Sequence, residues 1–332
     1  MKKIAFVLAL FLILPTFSGC ADKKGFSESF FFMDTVIGVT LYTDDETTAE
    51  KAFSECRALL SELDALWARQ KTGSDAARFN EAETGIPDLD PRTVELLETA
   101  LDVSQRTDGA FDITVASLVD LWQTCGEKNQ LPTDTEMSAT LARTGYEKLA
   151  LNGCALSKTQ ADVAIDLGGI GKGAAIGLLT EVLSSCGANG GLITFGSNVA
   201  VFGNKPSGEP FRIALRDPRN ANTSVGTLLL PEGMILSVSG DYERYVTVGG
   251  GKYHHILQPS TGYPADSGLS SVAVITSDGA LADALSTALF VMGKDRTMEL
   301  YRSGLYDFEA ILIAADGTLT QTDGLSEIFI KK

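Results

Sequence analysis

Basic residues are in short supply in this chain, 27 Lys and Arg against 43 Asp and Glu, for a net charge of −16. That deficit excludes a broad surface for nucleic acid or anionic lipid, so an anionic ligand must be held by local devices. Histidine is scarcer still: His254 and His255 are the only two, side by side. None of the five cysteines is spaced C-x-x-C, which excludes a thiolate metal site of the usual spacing. Cys56, Cys125, Cys154 and Cys186 can be free buried thiols or form one or two disulfides, and sequence does not separate the connectivities. After the N-terminal segment no apolar run is long enough to cross a bilayer, and there is no internal repeat or low-complexity tract.

What is present starts with Lys2 and Lys3, an apolar run over residues 4–14, and Phe17-Ser18-Gly19-Cys20. The run is too short for a mature transmembrane helix, and small residues before a cysteine suit a cleaving peptidase. Residues 1–19 therefore read as a signal peptide with a lipobox-like end. Phe17 stands where Leu is usual, and an ordinary secretory signal that merely contains a cysteine is the plainer alternative. With Cys20 lipidated, residues 20–28 are a tether, and the protein is held on the extracytoplasmic side of the cytoplasmic membrane without spanning it.

Hydrophobic residues make up 44% of the chain, ample for a large core. Residues 30–42, aromatic and β-branched, read as one strand bent at Asp34. Residues 46–67 carry apolar side chains at helical spacing with Thr47 or Thr48 as cap, and Trp67 leads into a polar loop over 69–80. Residues 91–107 form a second helix opened by Asp90-Pro91. A peripheral helical excursion is expected over 131–145. Residues 161–167, 171–186 and 191–201 read as strand, helix and strand of a β-α-β sequence. Five short alternating segments between 211 and 257 predict an antiparallel meander. A strand at 272–276, helices at 280–292 and 294–302, and strands at 308–314 and 328–330 complete the chain. Crossovers dominate before residue 190 and strands after it, so the expected fold is mixed α+β, with mixed sheets and packed helices in one catalytic domain over residues 29–332.

Asp166-Leu167-Gly168-Gly169-Ile170-Gly171-Lys172-Gly173 ends an apolar run and opens a helical pattern. Glycine lets successive N–H groups converge on an anion, and a helix start adds its positive dipole end, which is the chemistry of a phosphate site. A packing turn between strand and helix also uses glycine. Gly173 stands where a P-loop needs Ser or Thr, so a Walker A loop is excluded. Asp283 and Thr287, four apart in a helical pattern, project from one face and offer a carboxylate and a hydroxyl, oxygen ligands suited to Mg²⁺. Such pairs also arise by chance. On a strand His254 and His255 face opposite sides, so only one of them points into a site.

Together with Gly109-Ala110-Phe111-Asp112-Ile113-Thr114, Ser239-Gly240-Asp241-Tyr242-Glu243-Arg244-Tyr245 and the run from His254 to Pro264, these segments resemble the ApbE family of FAD:protein FMN transferases. The resemblance runs from about Phe31 to the C-terminus. It implies Mg²⁺ bound by Asp283, Thr287 and the backbone carbonyl of Gly169. It also implies FAD contacts from Asp166 and Lys172, with Met33, Trp67, Ala110, Phe111 and Asp112 near the flavin or lining its pocket. The family motif H-I-x-D-P-x-T-G-x-P aligns its histidine with His255, a candidate general base whose competing role is an oriented structural hydrogen bond. His254 is then a surface or packing residue.

Two positions depart from the family pattern. Gln258 replaces Asp or Asn, keeping an acceptor but no charge, and Ser197 replaces a glycine, which bears on how closely the backbone approaches the ligand. The implied reaction is attack of a threonine or serine hydroxyl of a target flavoprotein on the FMN-side phosphorus of FAD, with AMP leaving. The implied acceptors carry a motif similar to S/T-G-A-S/T, as in Rnf- or Nqr-type redox subunits. This chain lacks the string and is expected to act in trans. A Mg²⁺-dependent FAD pyrophosphatase yielding FMN and AMP, and a non-catalytic FAD-binding lipoprotein, are the alternatives.

Overall fold

The computed structural model describes residues 25–332; the expected signal peptide, Cys20 and the first part of the tether lie outside the described residues. The first aromatic stretch is a hairpin, β1 (Gly25–Phe32) and β2 (Thr35–Tyr42), rather than one bent strand. Its reversal sits on Met33 and Asp34, both at positive φ (49° and 52°), the mirror-image turn whose twist suits a two-residue loop. Neither residue is the glycine that usually announces such a turn, so the run looks continuous. β1 begins at Gly25, inside the stretch read as tether.

Helix α1 (Glu46–Trp67) has the expected bounds, but its cap is Asp45, whose carboxylate accepts the Thr48 N–H at 2.8 Å. Its buried face is Ala49, Ala52, Phe53, Cys56, Leu60, Leu63 and Trp67. The polar loop contains a further helix, α2 (Asp75–Glu81), capped by Ser74. After the short β3 (Gly85–Ile86), α3 (Pro91–Arg106) starts from an Asp90 cap with proline in its first turn. A 3-10 turn leads into α4 (Ala116–Lys128), and α5 (Asp134–Leu141) opens with a Thr133–Glu136 capping box in the expected excursion. β4 (Leu149–Asn152) and β5 (Ala155–Lys158) form a small sheet with β3.

Residues 161–167 are not a strand. Side chains hold them where a ladder would: the Asn80 amide accepts the Ile165 N–H at 2.7 Å and donates to the Ile165 carbonyl at 2.9 Å. The buried Lys158 ammonium donates to the carbonyls of Val163 and Phe79 at 2.9 and 3.0 Å. Next come α6 (Gly171–Ser185), β6 (Gly190–Phe195) and β7 (Asn198–Gly203). β6 pairs antiparallel with both β2 and β7, so the expected β-α-β sequence does not form and its last strand is a hairpin.

The expected meander is divided among three sheets. β8 (Phe211–Asp217) and β9 (Asn220–Leu230) pair with each other, β10 (Ile235–Gly240) joins the main sheet, and β11 (Tyr245–Val248) with β12 (Gly251–His254) forms a separate ribbon. β13 (Leu269–Thr276) is buried along its whole length. α7 (Gly279–Ser303) is broken at Gly293 (φ 77°, ψ 176°), the break the spacing predicts. β14 (Glu309–Ala314) and β15 (Leu319–Gln321) finish the main sheet, while β16 (Phe329–Lys331) pairs with β9 instead.

The main sheet has eight strands in the order β1-β2-β6-β7-β10-β13-β14-β15, every pairing antiparallel. One face packs on α1, α6 and α7 through the large core that includes Leu60, Phe195, Ile176 and Phe290. The β8, β9 and β16 sheet covers the other through Leu228, Leu236, Ile311 and Phe329. The fold is mixed α+β, as expected. Among the described residues no helix is long and apolar enough to cross a membrane, and Cys56, Cys125, Cys154 and Cys186 are free thiols.

Candidate functional site

At one end of the main sheet the start of β2, the Gly196-Ser197 turn and the end of β10 meet the N-terminus of α6 and the first turns of α7, enclosing a cleft of about 400 Å³. The crossing of the two helices sets its floor. A Cβ on Gly173 would fall far inside contact with Gly279 O, and one on Gly279 with Gly173 O, so the helices meet backbone to backbone. This brings Asp283 against the first turn of α6, where its Oδ2 accepts the Gly173 N–H at 2.9 Å. Lys172 Nζ lies 3.6 Å from the same oxygen and donates to Gly168 O at 2.6 Å.

The glycines of this stretch serve close approach rather than unusual dihedrals. None of Gly168, Gly169, Gly171 and Gly173 has a positive φ. A Cβ on Gly168 would stand 3.0 Å from Asp166 Oδ1 and one on Gly169 3.2 Å from the Phe111 ring. Two of the N–H groups are already taken by carboxylates of the chain, Gly168 by Asp166 at 2.8 Å and Gly173 by Asp283. The convergence of free amides on an anion is therefore narrower than the sequence suggests, and Lys172 carries more of the positive field.

Asp166, Lys172, Gly169, Asp283, Thr287, His255, Ala110, Phe111 and Asp112 all line this one cleft. Two expected residues do not. Trp67 is buried in the core beneath the glycine turn, 3.6 Å from where a Cβ on Gly171 would be, and Met33 sits in the β1–β2 turn beside Thr35, which does line the cleft. Asp112 is spent on architecture: its carboxylate accepts from the Thr114 N–H and hydroxyl at 2.7 Å each and from the Tyr146 N–H at 2.8 Å, and burial pushes its pKa up in spite of these bonds. Asp166 is tied to Arg69 at 2.8 Å, and Arg69 reaches Asp120 at 2.6 Å. Sequence gives no role to Arg69 or to the stacked pair Trp122–Tyr253 (4.9 Å), and Glu243 and Arg244 stand in it only as part of a motif. Trp122, Tyr253 and Val246 form the apolar end of the cleft.

The metal-ligating atoms that the cleft offers beside Asp283 are oxygens, its own carboxylate and the hydroxyls of Thr287 and Ser239, while Lys172 Nζ stands 3.6 Å from Asp283 Oδ2. Among the described residues no three His, Cys, Asp or Glu side chains gather. That set fits a hard divalent cation completing its shell with water and phosphate oxygens, and does not fit a soft metal.

His255 lies one residue past the end of β12. Its N–H donates to the Arg244 carbonyl at 3.1 Å, and its Nδ1 is 3.1 Å from the same oxygen. A carbonyl only accepts, so Nδ1 carries the hydrogen and Nε2 keeps a free lone pair. The ring is open to solvent along the cleft, yet the dehydrating walls, with Arg244 and Lys172 adding positive charge, push its pKa down to about 4. His254 turns the other way, its Nε2 3.1 Å from Ala265 O and its ring edge-on to Phe290 at 5.6 Å, which makes it a packing residue.

The ApbE family model matches residues 33–312. The chain is 30% identical over 282 residues to an FAD:protein FMN transferase of Vibrio cholerae, covering 84% of each, and 29% identical over 332 residues to one of Haemophilus influenzae, covering 97% of this chain and 96% of that one. Among solved structures, the ApbE protein of Thermotoga maritima superposes with a TM-score of 0.83 at 29% identity, covering 92% of this chain and 99% of the other. The flavin transferase ApbE of Vibrio cholerae superposes at 0.82 and 26% with the same coverage. On this breadth of similarity the chain belongs to the ApbE family.

Proposed function

We propose that this protein transfers FMN from FAD to a threonine or serine hydroxyl of a target protein, releasing AMP. The observation that carries the reading is the meeting of Lys172, Asp283, Thr287 and His255 in one cleft of a chain of this family. Lys172 holds negative charge of the pyrophosphate at the start of α6, where the helix dipole adds to it. Asp283, Thr287 and the Gly169 carbonyl are the residues that would hold Mg²⁺, which supplies charge neutralisation at the phosphates. His255, neutral and with Nε2 free, takes the proton of the attacking hydroxyl. The new P–O bond to the acceptor forms as the bond to AMP breaks, and the proton leaves through the imidazole. The apolar end at Trp122, Tyr253 and Val246 offers a flat surface for a ring of the dinucleotide.

Acceptors with an S/T-G-A-S/T-like segment, such as Rnf- or Nqr-type subunits, are the proposed partners. A lipid on Cys20 would place the cleft at the extracytoplasmic face of the membrane. Processing that continues unchanged in globomycin would sink the anchor. The solvent-open face of His255 also lets water replace the acceptor, giving FMN and AMP as a second activity. Mass spectrometry of an acceptor domain incubated with enzyme, FAD and Mg²⁺ decides among the readings. An FMN phosphoester mass gain supports transfer, free FMN alone supports hydrolysis, and intact FAD supports a carrier.

A further inference from the structure

A file of hydroxyls runs from the interior to the cleft. Asn198 Oδ1 is 2.7 Å from Ser237 Oγ, Ser237 is 3.2 Å from Ser286, Ser286 is 2.8 Å from Ser239, and Ser239 is 3.3 Å from Thr287 Oγ1. Asn198, Ser237 and Ser286 have no exposed surface, while Ser239 and Thr287 line the cleft.

Each hydroxyl has one hydrogen, so the direction of every bond can be counted. Ser237 faces three acceptors, Asn198 Oδ1 at 2.7 Å and Asp283 Oδ1 and Ser286 Oγ at 3.2 Å each, and its one hydrogen goes to one of them, so the ordering that matters at the cleft starts from Ser286. Ser286 donates to the Asp283 backbone carbonyl at 2.9 Å, an oxygen that cannot donate in return. Ser286 Oγ must then accept from Ser239, and Ser239 Oγ, its hydrogen spent, must accept from Thr287. The hydrogen of Thr287 thus points inward and its lone pairs face the cleft. The opposite order would turn a hydroxyl hydrogen of the pair toward the cleft, where a cation is to sit; the Asp283 carbonyl, inside α7, keeps its helical N–H donor in either order.

We propose that Ser239 and Ser286 are positioning residues that order the hydroxyl protons so that Thr287 is presented as an oxygen ligand, and that they thereby set the cation affinity of the site. The inference rests on the metal reading above and adds two residues to which that reading gives no role.

The test is Mn²⁺ titration of the FAD-free protein followed by electron paramagnetic resonance, with melting temperature in EDTA as the folding control. Ser239→Ala and Ser286→Ala should each weaken Mn²⁺ about tenfold, the order of one net hydrogen bond to a charged site, while Ser239→Thr, which keeps the hydroxyl, should stay within about twofold of wild type. If Ser286→Ala does not fold, Ser239→Ala, altered only at the cleft wall, decides alone. Wild-type Mn²⁺ affinity in Ser239→Ala, or equal losses in Ser239→Ala and Ser239→Thr, overturns the proton-ordering argument and leaves the metal reading standing. Absence of saturable Mn²⁺ binding in wild type overturns both.

Discussion

Asp283 and His255 face the same cleft from settings that differ in almost every physical respect. Asp283 is 5% exposed and sits at a helix crossing so tight that glycine is required on both sides, beside strands of the main sheet. His255 is open to solvent and follows a two-stranded ribbon that pairs with no other strand and leans on α4 through the Trp122–Tyr253 stack. The Asp283 side therefore cannot shift without moving the core, whereas the His255 side can yield at lower cost. A site that grips a small dinucleotide but admits a hydroxyl carried on another protein has reason to be rigid on one wall and yielding on the other.

The harshest way to break this contrast is Gly173→Ala. The added carbon meets a backbone carbonyl, which cannot rotate away, so the loss should exceed the roughly 1–3 kcal/mol of ordinary overpacking and take activity with it. Urea denaturation reads it; a wild-type midpoint would mean that the crossing is loose. Next comes Asp283→Asn, which removes the carboxylate while keeping the shape and should lower AMP release about 100-fold or more. Thr287→Val, losing one neutral ligand, should recover part of its activity as Mg²⁺ is raised. Undiminished turnover by Asp283→Asn would remove the metal site from the rigid wall.

Smaller effects separate the two histidines. His255→Ala should slow single-turnover transfer about 100-fold at saturating FAD and leave the melting temperature nearly unchanged, since the ring is held by one carbonyl at the rim. His254→Ala should do the reverse, losing about 1–2 kcal/mol through the Ala265 bond and the Phe290 contact while transfer holds. A slower His254→Ala with normal stability would show that the faces are assigned backwards.

The rigid wall was the more legible one. Asp283, Thr287 and Lys172 stand in short motifs whose spacing survives folding, and the apolar period of residues 46–67 predicts the bounds of α1 to the residue. What was hidden depends on partners distant in the chain. Residues 161–167 have a strand's composition but are pinned by Asn80 and Lys158 instead of a ladder. Met33 and Asp34 reverse the chain at positive φ without a glycine to signal it. Trp67 looks the same in sequence whether it closes a core or lines a pocket; packing under Gly171 decided for the core. Ser237, Ser239 and Ser286 carry no spacing signature, because only the packing of α7 against β10 sets them in a file.

The mildest test of the contrast is pH. The dehydrated, positively flanked setting of His255 lowers its pKa from 6.5 to about 4, so the neutral imidazole persists in the folded protein where the unfolded chain already binds the proton. Stability from this residue is therefore complete above pH 6.5 and is lost as pH falls toward 4. His254, also lowered by burial, acts in the same direction. Asp112 and Glu243, both raised by burial, act oppositely: each favours the folded state below the ordinary carboxylate value and loses that contribution as pH rises through its raised pKa. They offset part of the histidine loss at the acid end, which keeps the folded state available for measurement. The rate has no such offset, since only a neutral His255 can accept the proton. Single-turnover transfer with saturating FAD and Mg²⁺ should accordingly stay flat from pH 8 to below 6.5 and fall on an acid limb nearer 4, and His255→Ala should lose that limb. Because the ring keeps one face in water, salt should move the limb upward by screening Arg244 and Lys172. A limb centred at 6.5 in wild type, unmoved by salt, would mean that the walls of the cleft do not dehydrate the ring at all, and the yielding side would then be ordinary surface.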